Sequence, residues 1–249
     1  MSGMMGYYFR PQVTRFIILF VERSGSTYLA TMLDSHPQIH ALREQFAVLK
    51  QEGKTSSQQL EWANGFYTPP WIGKTSALGF KTKYVDILDT DGFAQVLIKH
   101  KTRIIVLLRQ NAVKAVISTI NAKRLYEKTG NWNLLKETDR RSAVEIDPIE
   151  FEQLLQFRAQ WDREIISYAE KLPLPQLILN YEEMLTDKNA FINRVYSFLN
   201  VEHILTEGTT LKNTKDNLRE AVANFEELRA RYAGTVYQSM FDEVLVNES

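Results

Sequence analysis

An apolar run, Phe16 to Val21, stops abruptly at Glu22-Arg23-Ser24-Gly25-Ser26-Thr27, and Tyr28, Leu29, Met32 and Leu33 then recur at helical spacing. Strand, short Gly/Ser/Thr loop and helix in that order make an anion cradle. The N–H groups at a helix N-terminus point at a ligand, and the helix dipole favours negative charge there. Gly25 lets the backbone approach closely, Ser24, Ser26 and Thr27 bring hydroxyls, and Arg23 adds a permanent positive fork. The segment predicts a site for a phosphate-bearing nucleotide; its plain alternative is an ordinary strand–turn–helix corner. A Walker A loop is disfavoured, because no Lys precedes Ser26-Thr27 and no second Gly lies upstream.

A length of 249 residues fits one large α/β domain, with residues 50–76 and 129–147 as acceptor or lid insertions. Hydrophobic content of 44% and charged content of 24% are ordinary globular values. The formal net charge of +0 implies no broad attraction to nucleic acid or to an anionic membrane. Basic residues nevertheless gather at Lys99, Lys101, Arg103, Arg109, Lys114, Lys123 and Arg124, around one strand–helix unit. With no cysteine, disulfides and zinc-thiolate sites are excluded, and the four histidines show no metal-ligand spacing. No secretory pattern opens the chain, and no apolar run approaches the roughly 20 residues that span a bilayer. The expectation is a cytoplasmic protein without membrane insertion and without a metal.

Periodicity predicts strands at 15–21, 39–42, 77–83, 103–108 and 176–180. Helices are predicted at 27–34, 91–99, 111–127, Pro148 to about Lys171, from Tyr181 to Leu199, and at about 214–232. The last helix is left to pack either on the domain or on a partner chain, which keeps a homodimer open. Strands alternating with helices argue for an α/β fold, a central parallel sheet flanked by helices on both faces. Ligands of such sheets sit beyond the carboxyl ends of the strands. That places Arg23 to Thr27, Glu44, Lys81 to Lys83, Arg109 and Tyr181 first in line for function.

Two further segments sharpen the expectation. RIIVLLRQNAVKAVISTINAKR, residues 103–124, is a buried strand ending in Arg109 and a helix carrying Ser118. LILNYEEMLTDKNAFINRVYSFLNVE, residues 177–202, is a strand followed by Tyr181-Glu182-Glu183 and an amphipathic pattern. With the first loop, which reads R-S-G-S-T-Y-L and is followed by His36-Pro37, the chain over about residues 15–230 resembles the sulfotransferases that use 3′-phosphoadenosine 5′-phosphosulfate (PAPS). It is most similar to their bacterial carbohydrate- and metabolite-sulfating branches. The resemblance implies a P-loop-type sheet, PAPS as donor, adenosine 3′,5′-bisphosphate as product, and a small-molecule or glycan acceptor.

Carried over residue by residue, the resemblance makes Arg23, Ser24, Gly25, Ser26 and Thr27, with Tyr28 beside them, the grip on the 5′-phosphosulfate. Arg109 and Ser118 become the pair for the 3′-phosphate. Nine helical residues rise about 13 Å, so Arg109 must reach along the helix start for both to meet one group. Tyr181 resembles the adenine-contacting aromatic, or else is a core tyrosine at a strand end. Lys212 lies in the late segment that closes over the nucleotide in relatives, although their Arg-Lys-Gly form is absent.

Sulfuryl transfer needs charge stabilisation and a base for the acceptor proton. Glu44, in HALREQF, is the leading base; its plain alternative is a surface carboxylate paired with Arg43. Where the cytosolic branch reads Lys-Thr-His, this chain reads Lys81-Thr82-Lys83, so Lys81 and Lys83 are expected to stabilise charge, or else to alternate along a strand. His40, four residues before Glu44, is the secondary suspect. Trp62, Phe66, Tyr67, Pro69, Pro70 and Trp71 are left either to stack on the acceptor or to fill a satellite core, and Trp132 with Arg140-Arg141 marks a lid or acceptor loop. A P-loop kinase and a non-catalytic nucleotide-binding protein remain the alternatives.

Overall fold

Successive side chains of β1 (Thr14–Phe20) enter two different cores, which fixes the layering of the whole chain. Phe16, Ile18 and Phe20 pack with α1 (Ser26–Asp34) and with α8 (Lys188–Leu199). Ile17 and Leu19, with Val21 beyond them, pack on the opposite side. There they meet α2 (Gln45–Gln51), α3 (Ser56–Tyr67), α4 (Thr90–Lys99) and α6 (Pro148–Glu170). A strand covered on both faces must be apolar throughout, hence the unbroken FIILF. Burying each such side chain stabilises the fold by about 1.5–3 kcal/mol. This computed structural model describes residues 13–68, 75–132, 134, 143–208 and 214–245.

The sheet is wholly parallel, in the order β2-β3-β1-β4-β5. Its other strands are β2 (Ile39–Leu42), β3 (Ala77–Lys83), β4 (Arg103–Leu108) and β5 (Gln176–Asn180). Phe16 lies opposite Gly79, where a Cβ would sit 2.4 Å from the Phe16 carbonyl oxygen, so only glycine lets β3 close on β1. With β1 central, β2 and β3 deliver their carboxyl ends on one side of its loop, β4 and β5 on the other.

Two predicted helices are each broken in two. The stretch from Tyr181 to Leu199 is α7 (Tyr181–Thr186) and α8, because Asp187 leaves helical geometry and its Oδ1 caps α8 at the Ala190 N–H, 2.9 Å. The 214–232 region is α9 (Leu218–Ala221) and α10 (Phe225–Arg231). They part at Val222, which pairs with Val144 in an isolated bridge, and at Asn224, whose amide clamps both backbone groups of Ile146. Both helices, with α11 (Gln238–Asp242), pack on α5 (Ala112–Thr129) and the start of α6 in a third apolar cluster of the same chain.

Within the stretch 50–76, read from the sequence as a loop-like insertion, α3 takes up Ser56–Tyr67. Trp62 and Phe66 pack edge-on against Phe80, and the buried Tyr67 donates its hydroxyl to the Phe16 carbonyl at 2.7 Å. These three aromatics serve the core beneath the sheet; Pro69, Pro70 and Trp71 lie outside the described residues. Among the described residues no helix is long and apolar enough to cross a membrane.

Candidate functional site

Helix α1 begins without a cap. Its N-cap is Gly25, in left-handed geometry with φ 79°, and no side chain accepts from its first turn. By contrast, each described helix of ten or more residues is capped by the side chain of its own N-cap residue: Thr55, Asp89, Asn111, Asp147 or Asp187. The first N–H groups of α1 are therefore left for something other than the chain's own cap. A Cβ at Gly25 would come within 2.5 Å of the Tyr181 ring, so glycine here answers to close packing as well as to backbone geometry.

Cations surround this loop from both halves of the sheet. Arg23, itself at φ 62°, donates from Nε to Ser118 Oγ at 3.0 Å and from Nη1 to the Trp132 carbonyl at 3.3 Å. Arg109, buried at the end of β4, donates from Nη1 to the Arg23 carbonyl at 3.1 Å, with its guanidinium carbon 4.8 Å from the Tyr181 ring centre. Burial lowers Arg109 below its ordinary value. Burial first and Arg109 second pull Arg23 down to about 10, so Arg23 stays cationic through the neutral range. Arg109 and Ser118 thus meet through Arg23, whose backbone and side chain take one each. That arrangement spans the helical rise separating them in sequence.

On the other side, the fully buried Lys81 reaches from β3 to Ser26 Oγ (3.2 Å), Thr27 Oγ1 (2.8 Å) and Glu44 Oε1 (2.8 Å). Glu44 is the N-cap position of α2 and keeps 34% of its side chain exposed. Its ion-pair partner is Lys81 rather than the neighbouring Arg43. Burial lowers the Lys81 pKa, and Glu44 opposes that.

Lys83, His40 and Tyr28 each have a carboxylate partner other than Glu44. Lys83 pairs with Asp86 at 3.4 Å. His40 faces Asp34 at 3.6 Å on the surface. Tyr28 donates to Glu207 at 3.2 Å. Lys212, Arg140 and Arg141 lie outside the described residues. Trp132 is half-exposed and stacked on Tyr126, with ring centres 4.4 Å apart.

Three buried residues stand at the site's edge; the sequence singled out Lys114 only in a basic cluster and Glu182 only in a motif, and Arg158 not at all. Arg158 of α6 donates to the Glu22 carbonyl at 2.8 Å. Glu182 accepts the N–H groups of Gln110 and Asn111 at 3.0 and 3.1 Å, which anchors the turn after Arg109. Lys114 pairs with Asp216 at 3.1 Å on the α5 face that carries Ser118 one turn later. Ser24 Oγ and Arg109 Nε are buried and find no hydrogen-bond partner among the described residues. Such donors are costly to leave unpaired, and an anion at this loop suits them. Among the described residues no group of three or more His, Asp or Glu is placed to hold a metal ion.

A curated relative, nodulation protein H of Rhizobium tropici, is 25% identical over 241 residues, covering 93% of this chain and 94% of its own. A solved sulfotransferase from Alicyclobacillus acidocaldarius is 16% identical, covers 92% of this chain and 96% of its own, and has a TM-score of 0.46. A mouse sulfotransferase solved with PAP is also 16% identical, covers 76% of this chain and 60% of its own, with a TM-score of 0.44. The family model described as the sulfotransferase domain matches residues 13–241, and the chain belongs to that family.

Proposed function

We propose that the chain transfers a sulfuryl group from PAPS to a hydroxyl or amine of a carbohydrate or small specialised metabolite. The observation that carries this reading is Lys81, whose one ammonium touches the cradle hydroxyls of Ser26 and Thr27 and the carboxylate of Glu44. A proton acceptor thereby stands one side chain away from an anion grip. The residues also fit the donor's charges. The uncapped start of α1 with Arg23 and Lys81 suits the 5′-phosphosulfate. Arg109, with its unpaired Nε, and Ser118 suit the 3′-phosphate.

When bound, PAPS supplies a sulfuryl group whose bond to the 5′-phosphate oxygen breaks as a bond to the acceptor oxygen or nitrogen forms, leaving adenosine 3′,5′-bisphosphate. Glu44 takes the acceptor's proton on the oxygen that Lys81 does not hold. Lys81, Arg23 and the first N–H groups of α1 stabilise charge on the transferring and leaving oxygens; one such donor is typically worth about 3 kcal/mol of barrier. Arg cannot readily give up a proton, so the help of Arg23 is electrostatic.

Calorimetric titration with adenosine 3′,5′-bisphosphate, AMP and ATP, without magnesium, tests the reading. Selective binding of the bisphosphate, lost in Arg109→Ala, is expected. Preference for ATP, or indifference to Arg109, would return a kinase reading to the front.

A further inference from the structure

We infer that Arg158, on α6 and far in sequence from every loop motif, is a positioning residue that aims the cradle's backbone N–H groups. The inference rests on reading the loop after β1 as the anion grip.

A trans peptide places its carbonyl and its N–H on opposite sides, so holding one fixes the direction of the other. Two successive peptides of the loop are held in this way. The Glu22 carbonyl accepts from Arg158 Nη1 at 2.8 Å, and the Arg23 carbonyl accepts from Arg109 Nη1 at 3.1 Å. The N–H groups of Arg23 and Ser24 are therefore turned away from the two guanidiniums. Arg23 adopts φ 62°, a geometry that a side-chain-bearing residue holds only when its surroundings impose it. Two charged donors on consecutive carbonyls are such an imposition, since hydrogen bonds with an ionised partner are the strong ones.

Arg158 is built for the task. It is 4% exposed, and its own orientation is set by Asp162 Oδ2, 2.8 Å from its Nε. It stands close enough to Arg109 to help lower that residue's pKa. A residue serving only to tie α6 to the sheet would not need to end on the one carbonyl preceding Arg23.

The test uses the full chain with Arg158→Gln and Arg158→Lys. Adenosine 3′,5′-bisphosphate is titrated by calorimetry, and the backbone amide signals of Arg23, Ser24 and Thr27 are followed by NMR. Arg158→Gln is expected to weaken bisphosphate binding about ten- to a hundredfold, the scale of a small misplacement of binding groups. The ligand-induced shifts of the Arg23 and Ser24 amides should shrink while that of Thr27 persists, and Arg158→Lys should recover part of the affinity. Wild-type affinity and wild-type amide shifts in a folded Arg158→Gln protein would overturn the inference. If Arg158→Gln does not fold, Asp162→Ala, which removes the acceptor that orients the guanidinium but leaves the guanidinium's own charge, must show the same selective loss, and its absence would overturn the inference equally. Failure of the wild type to bind the bisphosphate would instead count against the cradle reading itself.

Discussion

Lys81 and Glu44 form an ion pair of 2.8 Å in which the lysine is buried and the carboxylate is one-third exposed. The asymmetry matters chemically: the cation is fixed among the loop hydroxyls, while the carboxylate still reaches solvent and any acceptor arriving from it. Replacing Lys81 by Met removes the charge but keeps the volume. Turnover should fall about 10²- to 10³-fold. The thermal midpoint should fall as well, because removing one partner of the pair leaves the Glu44 carboxylate and the loop hydroxyls without their donor. A steady-state assay beside a melting curve checks both. Unchanged turnover would remove Lys81 from the transfer step.

Glu44→Gln should lower kcat by about 10²- to 10⁴-fold, the usual worth of a general base, with bisphosphate binding retained. It should also move the alkaline limb of that binding. Burial depresses the Lys81 pKa and Glu44 raises it, so deleting the carboxylate lowers it further. Anion affinity is full below the Lys81 pKa and weakens as pH rises through it, so the limb moves to lower pH in the variant. Folding stability responds with the opposite sign. The penalty for burying a charged Lys81 is complete below its folded pKa and is relieved as pH rises toward the ordinary lysine value. Comparing wild type with Lys81→Met across that window isolates the contribution.

Gly25→Ala meets two obstacles, the left-handed backbone and the Tyr181 ring 2.5 Å from the new Cβ. A loss of about 1–3 kcal/mol of stability is expected. Adding Tyr181→Ala removes only the contact, so the double variant should be less damaged than the sum of the singles. Strict additivity in denaturant melts would mean that the two residues do not press on each other.

Tyr67→Phe deletes the buried hydroxyl that donates to the Phe16 carbonyl. Stability should drop by about 1–3 kcal/mol while bisphosphate affinity stays at the wild-type value. A change in acceptor KM would restore this residue to the acceptor site.

The sheet was legible because strands buried on both faces must be continuous apolar runs, and FIILF and IIVLL are such runs. The loop was legible because glycine, hydroxyls and arginine at a strand end have few other uses together. Breaks at Asp187 and Val222 were not, since an amphipathic pattern runs through both and only a cap or a distant bridge partner reveals the interruption. Arg158 and Asp162 sit four residues apart, the spacing of a solvated surface pair, and nothing local signals that the arginine ends on Glu22. Glu44 stands out in the sequence as the leading base, with Arg43 as the alternative partner, whereas its ion-pair partner arrives from β3.

The hydrogen bonds that draw the cradle together join residues 95 apart (Arg23 to Ser118), 86 apart (Arg109 to Arg23), 136 apart (Arg158 to Glu22) and 55 apart (Lys81 to Ser26). Non-local contacts of this kind form late, after the costly loop closures. A partly folded chain with β1 paired on one side alone has half a grip and no anion site. A nucleotide that recognises only the finished cradle therefore acts on folding itself, adding about 2.7 kcal/mol when present at a hundred times its dissociation constant. Refolding in the presence of the bisphosphate then reports on the assembly of both halves of the sheet around β1.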